Sequence, residues 1–357
     1  MINVTQPYLP SKEKYLAYVD KIYQSKWLTN NGPLVQELEK RLADYLGVKH
    51  LILVNNGSMA LQVSYQALEL KGEVLTTPFS FAATPNTLIW QNIKPIFSDI
   101  DKNTFNLDVN LIEKNITENT SAIVPVHVFG NPCEVEEIEK IGSKYDLPII
   151  YDAAHAFGVN YKGESILNYG LISTLSFHAT KLFHTIEGGA IITSNDEVAA
   201  KVRKLINFGI ASPTDIECAG TNGKMNEFEA AMGLCVLDEI DNINNKREII
   251  WQKYQQAFTH DLLFQYFNEN SQNNFAYAPV LFSSEKQLLK VQKALNKENI
   301  SPRRYFYPSL DSLAYIDTNK PCPISNTIAS RILCLPIYPD LSNEQQDHII
   351  KIVIANL

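Results

Sequence analysis

Residues 50–78, HLILVNNGSMALQVSYQALELKGEVLTTP, contain a complete strand–helix–strand unit. The apolar run HLILV is typical of a buried strand, and MALQVSYQALEL has apolar residues at helical spacing. EVLTTP then begins a second short apolar run. A helix between two strands favours parallel pairing, because the crossover returns the chain to the same end of the sheet.

The alternation continues as far as about residue 194. Further helical spacing occurs in VEEIEKIGSKY, and further strands are predicted in KPIFSDI, SAIVPVHVFG, LPIIYDAA, STLSF and GAIITS. The sequence therefore predicts an α/β fold with a mostly parallel central sheet, buried on both faces. Ligands of such sheets bind at the carboxyl ends of the strands.

The pattern changes after about residue 240. Residues 238–258, DEIDNINNKREIIWQKYQQAF, indicate one long polar helix. A strand (FAYAPVLF), a helix (EKQLLKVQKALNKEN) and a terminal helix with Ser342 as its N-cap are predicted beyond it. We expect two domains, a large one at residues 1–240 and a smaller α/β domain at residues 241–357.

The composition favours a small-molecule substrate. The chain has 357 residues, and its 31 basic and 39 acidic side chains give a net charge of −8. With no long Lys/Arg run, nucleic acid and anionic membranes are not expected partners. No apolar run is long enough to cross a bilayer, so we expect a cytoplasmic protein. The five cysteines lack CxxC spacing and predict neither a disulfide framework nor a thiolate zinc site.

Two candidate residues follow the strand LPII in the sequence YDAAHAFG. Asp152 is the first carboxylate after that strand, so we expect it at the carboxyl edge of the sheet, facing any ligand there. An Asp that caps the next helix is the alternative. His155, three residues later, either reaches the same ligand or is a hydrogen-bonded core histidine.

Lys181 lies in residues 173–194, STLSFHATKLFHTIEGGAIITS, between two predicted strands. Its apolar neighbours are Phe177, Leu182, Phe183 and Ile186. Burial among such residues disfavours an ammonium and makes a lysine a better nucleophile. A surface lysine on a loop is the alternative.

The turn in LVNNGSMALQ joins a strand directly to a helix. Gly57 permits close approach, Ser58 offers a hydroxyl, and unpaired N–H groups at a helix N-terminus bind phosphate. A simple N-capping serine is the alternative. An anion site, a carboxylate, an aromatic-rich loop (TPFSFAAT) and a lysine all follow predicted strands, and pyridoxal phosphate needs these four groups.

The chain resembles the DegT/DnrJ/EryC1/StrS family of fold-type-I sugar aminotransferases over nearly its whole length. The matching blocks, in order, are SKWLTNNGPLVQELEKRLADYLG, NGSMAL, TPFSFAAT, PIFSDIDKNTFNLD, VPVHVFGNPCEVEEI, DAAHAFG, SFHATKLFHTIEGGA and LCLPIYPDLSNEQQDHII. The resemblance implies pyridoxal 5′-phosphate as cofactor and L-glutamate as amino donor.

The resemblance also assigns site residues. Lys181 matches the Schiff-base lysine, Asp152 the partner of the pyridine nitrogen, and Phe81 the ring-stacking aromatic. His155 replaces the usual Gln near the phenolic oxygen. The predicted phosphate-binding positions are Gly57, Ser58, Ser176 and Asn222, and Met59 is a further predicted cofactor-binding residue. Asn222, in GTNGKMNEFEAAMG, resembles a residue that reaches the neighbouring subunit's cofactor, which implies a homodimer with shared active sites; there Lys224 replaces the family's usual Arg.

SFHATK followed by EGG resembles the enzymes that aminate C4 of a 4-keto-6-deoxyhexose on dTDP, in surface-polysaccharide or deoxyamino-sugar biosynthesis. The Pro- and Tyr-rich loop SPRRYFYPSL is either a substrate-binding loop, through Arg303, Tyr305 and Tyr307, or a solvated one.

Four other functions stay open from the sequence. They are C3 amination, sugar dehydration (performed by relatives in which histidine replaces the lysine), sugar-nucleotide sensing without catalysis, and metal-dependent hydrolysis. The last would use His127, His155, His178, His184 and Asp152, but no HExxH or other known ligand spacing supports it, and no metal is expected.

Overall fold

The computed structural model of the protein describes residues 1–317 and 320–357. The α-helices are α1 (Lys12–Ser25), α2 (Pro33–Leu46), α3 (Gly57–Ala67), α4 (Ala83–Ile89), α5 (Val109–Ile112), α6 (Val135–Tyr145), α7 (Asp196–Leu205), α8 (Glu227–Leu237), α9 (Ile240–Phe258), α10 (Glu285–Lys297), α11 (Pro323–Arg331) and α12 (Asn343–Asn356). The strands are β1 (Ile2–Asn3), β2 (His50–Val54), β3 (Glu73–Thr76), β4 (Lys94–Phe97), β5 (Thr120–Val124), β6 (Ile150–Asp152), β7 (Asn160–Tyr161), β8 (Glu164–Ser165), β9 (Ile172–Ser176), β10 (Gly189–Thr193), β11 (Ile210–Ser212), β12 (Asp215–Ile216), β13 (Pro279–Leu281), β14 (Ile300–Ser301) and β15 (Ile332–Cys334).

The central sheet has the strand order β2, β10, β9, β6, β5, β3, β4. Bridges Ile123–Ile149 and Val126–Asp152 join β5 to β6. Strand β10 runs antiparallel to both its neighbours, and the other adjacent pairs are parallel. The predicted mostly parallel α/β sheet is therefore confirmed, and each of the seven predicted runs contributes one of its strands.

Both faces of the sheet are buried, which explains why its strands are continuously apolar. In β2, Leu51 and Leu53 pack into one core cluster with residues of α2 and α8. Ile52 and Val54 point to the opposite face and pack with α3 and α7. Fully burying such a side chain contributes about 1.5–3 kcal/mol, so this double-sided packing stabilises the platform that carries the loops at the carboxyl edge.

The long helix α9 connects two hydrophobic cores. Its first turn contributes Ile240 and Ile243 to the cluster under the central sheet. Farther along, Ile250 and Phe258 belong to a separate C-terminal cluster. The N-terminal strand β1 pairs with β14, so the first residues also belong with the C-terminal part. The domain boundary after residue 240 stays a prediction.

Two features of the helices bear on the sequence analysis. Helix α12 begins after Ser342, whose hydroxyl accepts a hydrogen bond from the Gln345 N–H at 3.2 Å, while the Gln345 side chain accepts one from the Ser342 N–H at 3.0 Å. This reciprocal cap confirms the predicted N-cap. Among the described residues, no helix has both the length and the apolar character that crossing a membrane requires.

Candidate active site

A cavity of about 270 Å³ opens at the carboxyl edge of the central sheet. Most of the residues proposed from the sequence line it: Gly57, Ser58, Phe81, Asp152, His155, Ser176, Lys181, Arg303 and Tyr305. They come from loops after β2, β3, β6 and β9 and from the C-terminal part of the chain. The parallel strands therefore bring distant parts of the sequence to one place, as the sheet topology predicts.

Asp152 ends β6 and is 6% exposed. Its Oδ2 atom accepts a hydrogen bond from the Thr84 hydroxyl at 2.8 Å, and its Oδ1 atom accepts one from the Ala154 N–H at 3.1 Å. Burial raises the pKa of Asp152, while these two bonds and the positive charge of Lys181 act in the opposite direction. Neither donor is charged, so a cation in the cavity would give the buried carboxylate its missing partner.

His155 is buried beside Asp152 and stacks on Phe306, with ring centres 5.5 Å apart. Its Nδ1 atom accepts a hydrogen bond from the Phe129 N–H at 3.3 Å. This bond assigns the proton of the neutral ring to Nε2. Burial, and then the nearby Lys181 charge, hold the pKa of His155 well below its usual value. His155 is therefore a neutral group that can donate one hydrogen bond.

Lys181 lies in the loop between β9 and β10, in a stretch whose Phe177, Leu182 and Phe183 side chains are buried in the core. Burial lowers its pKa to about 8, although the negative charge of Asp152 opposes this shift. Ile186 is 45% exposed and does not help to bury the lysine within one chain, contrary to expectation. The lowered pKa places a useful fraction of neutral amine near physiological pH.

The first turn of α3, where the sequence predicts an anion site, lines the cavity. Asn56, not Ser58, is the N-cap, because its Oδ1 atom accepts the Met59 N–H at 2.8 Å. A Cβ atom on Gly57 would lie 2.8 Å from that of Ser176, so glycine permits this close approach. The N–H groups of Gly57 and Ser58 have no acceptor within the helix, and its positive end faces the cavity.

Part of the cavity lining is aromatic and basic. Phe81 is 54% exposed and leaves a ring surface available for stacking. The Arg303 guanidinium lies over the Tyr305 ring, 4.8 Å from its centre. Tyr307 does not line this cavity, because its ring stacks against Arg304 at 3.5 Å instead.

Comparison with known proteins assigns the chain to a family. Residues 10–354 match the DegT/DnrJ/EryC1/StrS aminotransferase family. The chain belongs to this family. Two dTDP-4-amino-4,6-dideoxy-D-glucose transaminases are similar to it over their whole length: the one from Shigella dysenteriae is 44% identical, covering 99% of this chain and 98% of that protein, and the one from Escherichia coli is 42% identical, covering 100% and 99%.

The fold of this DegT/DnrJ/EryC1/StrS family member also matches a solved structure. The crystal structure of DesI in the presence of its TDP-sugar product superposes with a TM-score of 0.94 at 32% identity, covering 99% of this chain and 92% of that one. The comparisons confirm the sequence-based assignment to the family, to PLP fold type I and to pyridoxal-phosphate-dependent sugar aminotransferases.

The chemistry of the cavity fits pyridoxal phosphate. The anion site at α3 suits its phosphate, and the buried Asp152 carboxylate, which lacks a charged donor, suits a protonated pyridine nitrogen. The His155 donor suits its phenolic oxygen, and the Lys181 amine suits its aldehyde. These individual assignments stay predictions, but the donor set is the one that the cofactor requires.

Met59 and Asn222, both predicted to bind the cofactor, do not line this cavity. The Met59 side chain packs against the core cluster that contains Ile206. Asn222 is exposed and forms an isolated bridge with Asn207. Lys224, where the family usually has Arg, donates a hydrogen bond to the Asn207 side chain at 2.9 Å.

The five candidate ligands of the hydrolase alternative do not assemble. The His127 ring is buried and stacks on Tyr151 at 4.6 Å, whereas His184 is hydrogen-bonded to the backbone oxygen of Tyr8 at 2.7 Å. In the part of the chain that the structure describes, no group of three or more His, Cys, Asp or Glu side chains is arranged to hold a metal ion.

The structure adds residues that the sequence analysis missed. Thr84 bonds Asp152 and is itself joined to Ser80 at 2.8 Å. The Tyr277 hydroxyl lies 3.3 Å from the Lys181 Nζ atom. The TPFSFAAT motif contained Thr84, and the strand FAYAPVLF contained Tyr277, but local spacing does not reveal contacts so distant along the chain.

Proposed function

We propose that the protein is a cytoplasmic homodimer that transfers the amino group of L-glutamate to C4 of dTDP-4-keto-6-deoxyglucose. The observation that carries the proposal is the cavity that joins Lys181 and Asp152 to Arg303 and Tyr305, in a chain 44% identical to a dTDP-4-amino-4,6-dideoxy-D-glucose transaminase. Cα of glutamate becomes the carbonyl of 2-oxoglutarate while the C4 carbonyl becomes an amine-bearing carbon. No external oxidant or reductant is therefore needed.

Five residues of the cavity have a role in this scheme. Asp152 keeps the pyridine nitrogen protonated, and His155 donates to the phenolic oxygen. The Lys181 amine takes the proton from Cα of the donor and later delivers a proton to C4 of the sugar. Pyridoxal phosphate, when bound, supplies the electron sink that makes this proton acidic. Arg303 is the candidate partner for the diphosphate, and Tyr305 is the candidate partner for the sugar.

Product analysis tests the reaction. The purified protein with pyridoxal phosphate is given L-glutamate and either the 4-keto or the 3-keto dTDP-6-deoxyhexose, and the product is examined by NMR. We expect an amine at C4 and parallel double-reciprocal plots, because the donor leaves before the sugar reacts. Preference for the 3-keto sugar, or intersecting plots, would contradict the proposal.

We also propose that each site is shared between subunits, with Asn222 reaching the phosphate of the partner's cofactor. The exposure of Asn222 and its position outside its own cavity support this arrangement. The alternative, in which Asn222 serves its own subunit, has one argument in its favour. The neighbouring Gly223 oxygen accepts the Asn55 N–H at 2.8 Å, close to the turn that begins α3.

Mixing two variants that are each defective at limiting cofactor separates these arrangements. A hydrogen bond to a phosphate contributes about 1.5–3 kcal/mol, so Asn222→Ala should weaken cofactor binding roughly tenfold to a hundredfold. In a heterodimer of Lys181→Ala with Asn222→Ala, sharing puts both changes in one site and leaves the other site wild type. Activity should then return at limiting cofactor. Heterodimers that form but stay inactive would contradict the shared site.

A further inference from the structure

A segment from the C-terminal part of the chain is fastened to the loop that follows β6. Asn274 is 6% exposed, and its Nδ2 atom donates hydrogen bonds to the backbone oxygens of His155 at 2.8 Å and Phe157 at 3.0 Å. Its Oδ1 atom accepts the Ala276 N–H at 3.1 Å. One buried amide therefore ties residues 274–276 to the backbone beside Asp152.

A buried arginine forms a second set of contacts with the same segment. Arg247, on α9, is 2% exposed, and its Nη1 atom donates to the backbone oxygens of Ala276 at 3.2 Å and Phe275 at 3.5 Å. A buried cation is costly, and these carbonyls compensate part of that cost. The contacts of Asn274 and Arg247 together restrict the backbone just before Tyr277.

The contacts of residues 274–276 place Tyr277 next to Lys181. Its ring lies edge-on to His155, with centres 4.8 Å apart, and its Oη atom lies 3.3 Å from the Lys181 Nζ atom. The lysine is the donor in this hydrogen bond and the phenol oxygen is the acceptor. That direction holds for the ammonium form, and when the amine is neutral the same contact keeps its nitrogen beside the phenol hydroxyl.

We propose that Tyr277 is a positioning residue whose hydroxyl fixes the Lys181 amine, whenever the lysine is not bonded to cofactor, where it can take the Cα proton of the amino donor. A free lysine has four flexible carbons and about 2 kcal/mol of rotamer entropy, so a fixed acceptor restricts where its amine lies. The inference rests on the proposed role of Lys181, and it does not depend on the identity of the sugar.

The first test uses the cofactor-free protein. Labelling of Lys181 by trinitrobenzenesulfonate is followed against pH, by peptide mass spectrometry, in wild type and Tyr277→Phe. Asp152 and Tyr305 also face this amine, and both stay in place. The wild-type profile should give a pKa of about 8. A hydrogen bond from an ammonium is stronger than one from an amine, so Tyr277→Phe should lower this pKa by roughly half a unit to one unit.

Tyr254→Phe is the matched control for loss of a buried hydroxyl. The Tyr254 hydroxyl donates to the Pro336 oxygen at 2.9 Å within the C-terminal core, so its removal should leave the labelling profile unchanged. An unchanged profile in Tyr277→Phe as well, or an equal shift in both variants, would overturn the proposal.

The second test is a single turnover of the loaded enzyme with L-glutamate alone, without a sugar. Tyr277→Phe should slow the proton transfer about threefold to tenfold and increase the deuterium isotope effect with 2-deuterated glutamate, while the KM for glutamate changes little. A slower reaction with an unchanged isotope effect and a lower Tm would mean that the hydroxyl is only structural. A normal half-reaction in Lys181→Ala would instead reject the proposed lysine.

Discussion

Two buried aspartates lie at the same edge of the central sheet, and they differ in the groups that meet their oxygens. Asp99 follows β4 and is 8% exposed, and Asp152 ends β6 and is 6% exposed. Asp99 accepts N–H groups from Ile324 at 2.8 Å, Ser325 at 2.9 Å and Ile100 at 2.9 Å. Asp152 accepts one backbone N–H and one hydroxyl.

The difference explains why one carboxylate is structural and the other faces a ligand site. Asp99 neutralises the N-terminus of α11 and so fastens a C-terminal helix to the sheet. Asp152 has equal burial and an equivalent place in the topology, but it keeps acceptor capacity directed at a cavity. Burial at a strand end therefore does not distinguish the two carboxylates, whereas incomplete pairing within the protein does, and it supports the cofactor role predicted for Asp152.

Among changes in the cavity that Asp152 faces, Lys181→Ala should have the largest effect on activity. We expect no detectable turnover and no absorption band from covalently bound cofactor. The Tm should not fall, because the variant removes a cation that burial already disfavours. Lys140→Ala is the control, since that exposed lysine pairs with Glu137 at the surface. Transamination at the normal rate by Lys181→Ala would exclude it as the cofactor lysine.

Exchanging each aspartate for asparagine should separate activity from stability. Asp152→Asn should lower kcat/KM about a thousandfold, because it removes the charge that holds the pyridine nitrogen protonated, without lowering the free energy of unfolding. Asp99→Asn should do the reverse and cost about 1–3 kcal/mol of stability while leaving kcat per folded molecule nearly unchanged. Steady-state kinetics and urea denaturation of both variants check this. Equal losses of stability in the two variants would refute the comparison.

Thr84→Val should give a smaller effect on the same carboxylate. The variant keeps the side-chain shape but removes the hydroxyl that donates to Asp152. A hydrogen bond to a charged group contributes about 1.5–3 kcal/mol, so kcat should fall roughly tenfold to a hundredfold. Without this donor the pKa of Asp152 rises further, and cofactor affinity should begin to weaken at a higher pH as the solution is acidified. Thr84→Ser keeps the hydroxyl and should behave nearly as wild type. If Ser and Val variants lose equal activity, the hydroxyl is not responsible.

The smallest expected effect is the change in the rate of cofactor binding with pH. Uptake needs the neutral Lys181 amine, whose pKa is about 8 rather than the ordinary 10.5. The rate should therefore rise about tenfold per pH unit below pH 8 and level off above it. Stopped-flow absorbance of the cofactor-free protein mixed with pyridoxal phosphate measures this. A rate that keeps rising beyond pH 10 would show that the protein does not perturb this lysine.

The sequence predicted the elements whose signal is local. The seven strands of the sheet follow from short apolar runs, and Asp152 and Lys181 follow from their places after two of these strands. The antiparallel direction of β10 was not predicted, because strand pairing depends on contacts between distant segments. Thr84 and Tyr277 were missed for the same reason, since they lie 68 and 96 residues from the side chains they bond. Tyr307 was chosen from its loop, but stacking on Arg304 turns it away.

The pairing of β1 with β14 has a consequence for synthesis on the ribosome. Ile2 emerges from the ribosome before the central sheet, yet its partner Ile300 emerges only after the central sheet has been translated. The sheet and its two faces of helices can therefore fold while the N-terminal strand is still unpaired. The C-terminal unit is completed after the sheet, and with it the segment that brings Tyr277 to Lys181, so a nascent chain acquires its predicted cofactor platform before its full set of reactive groups.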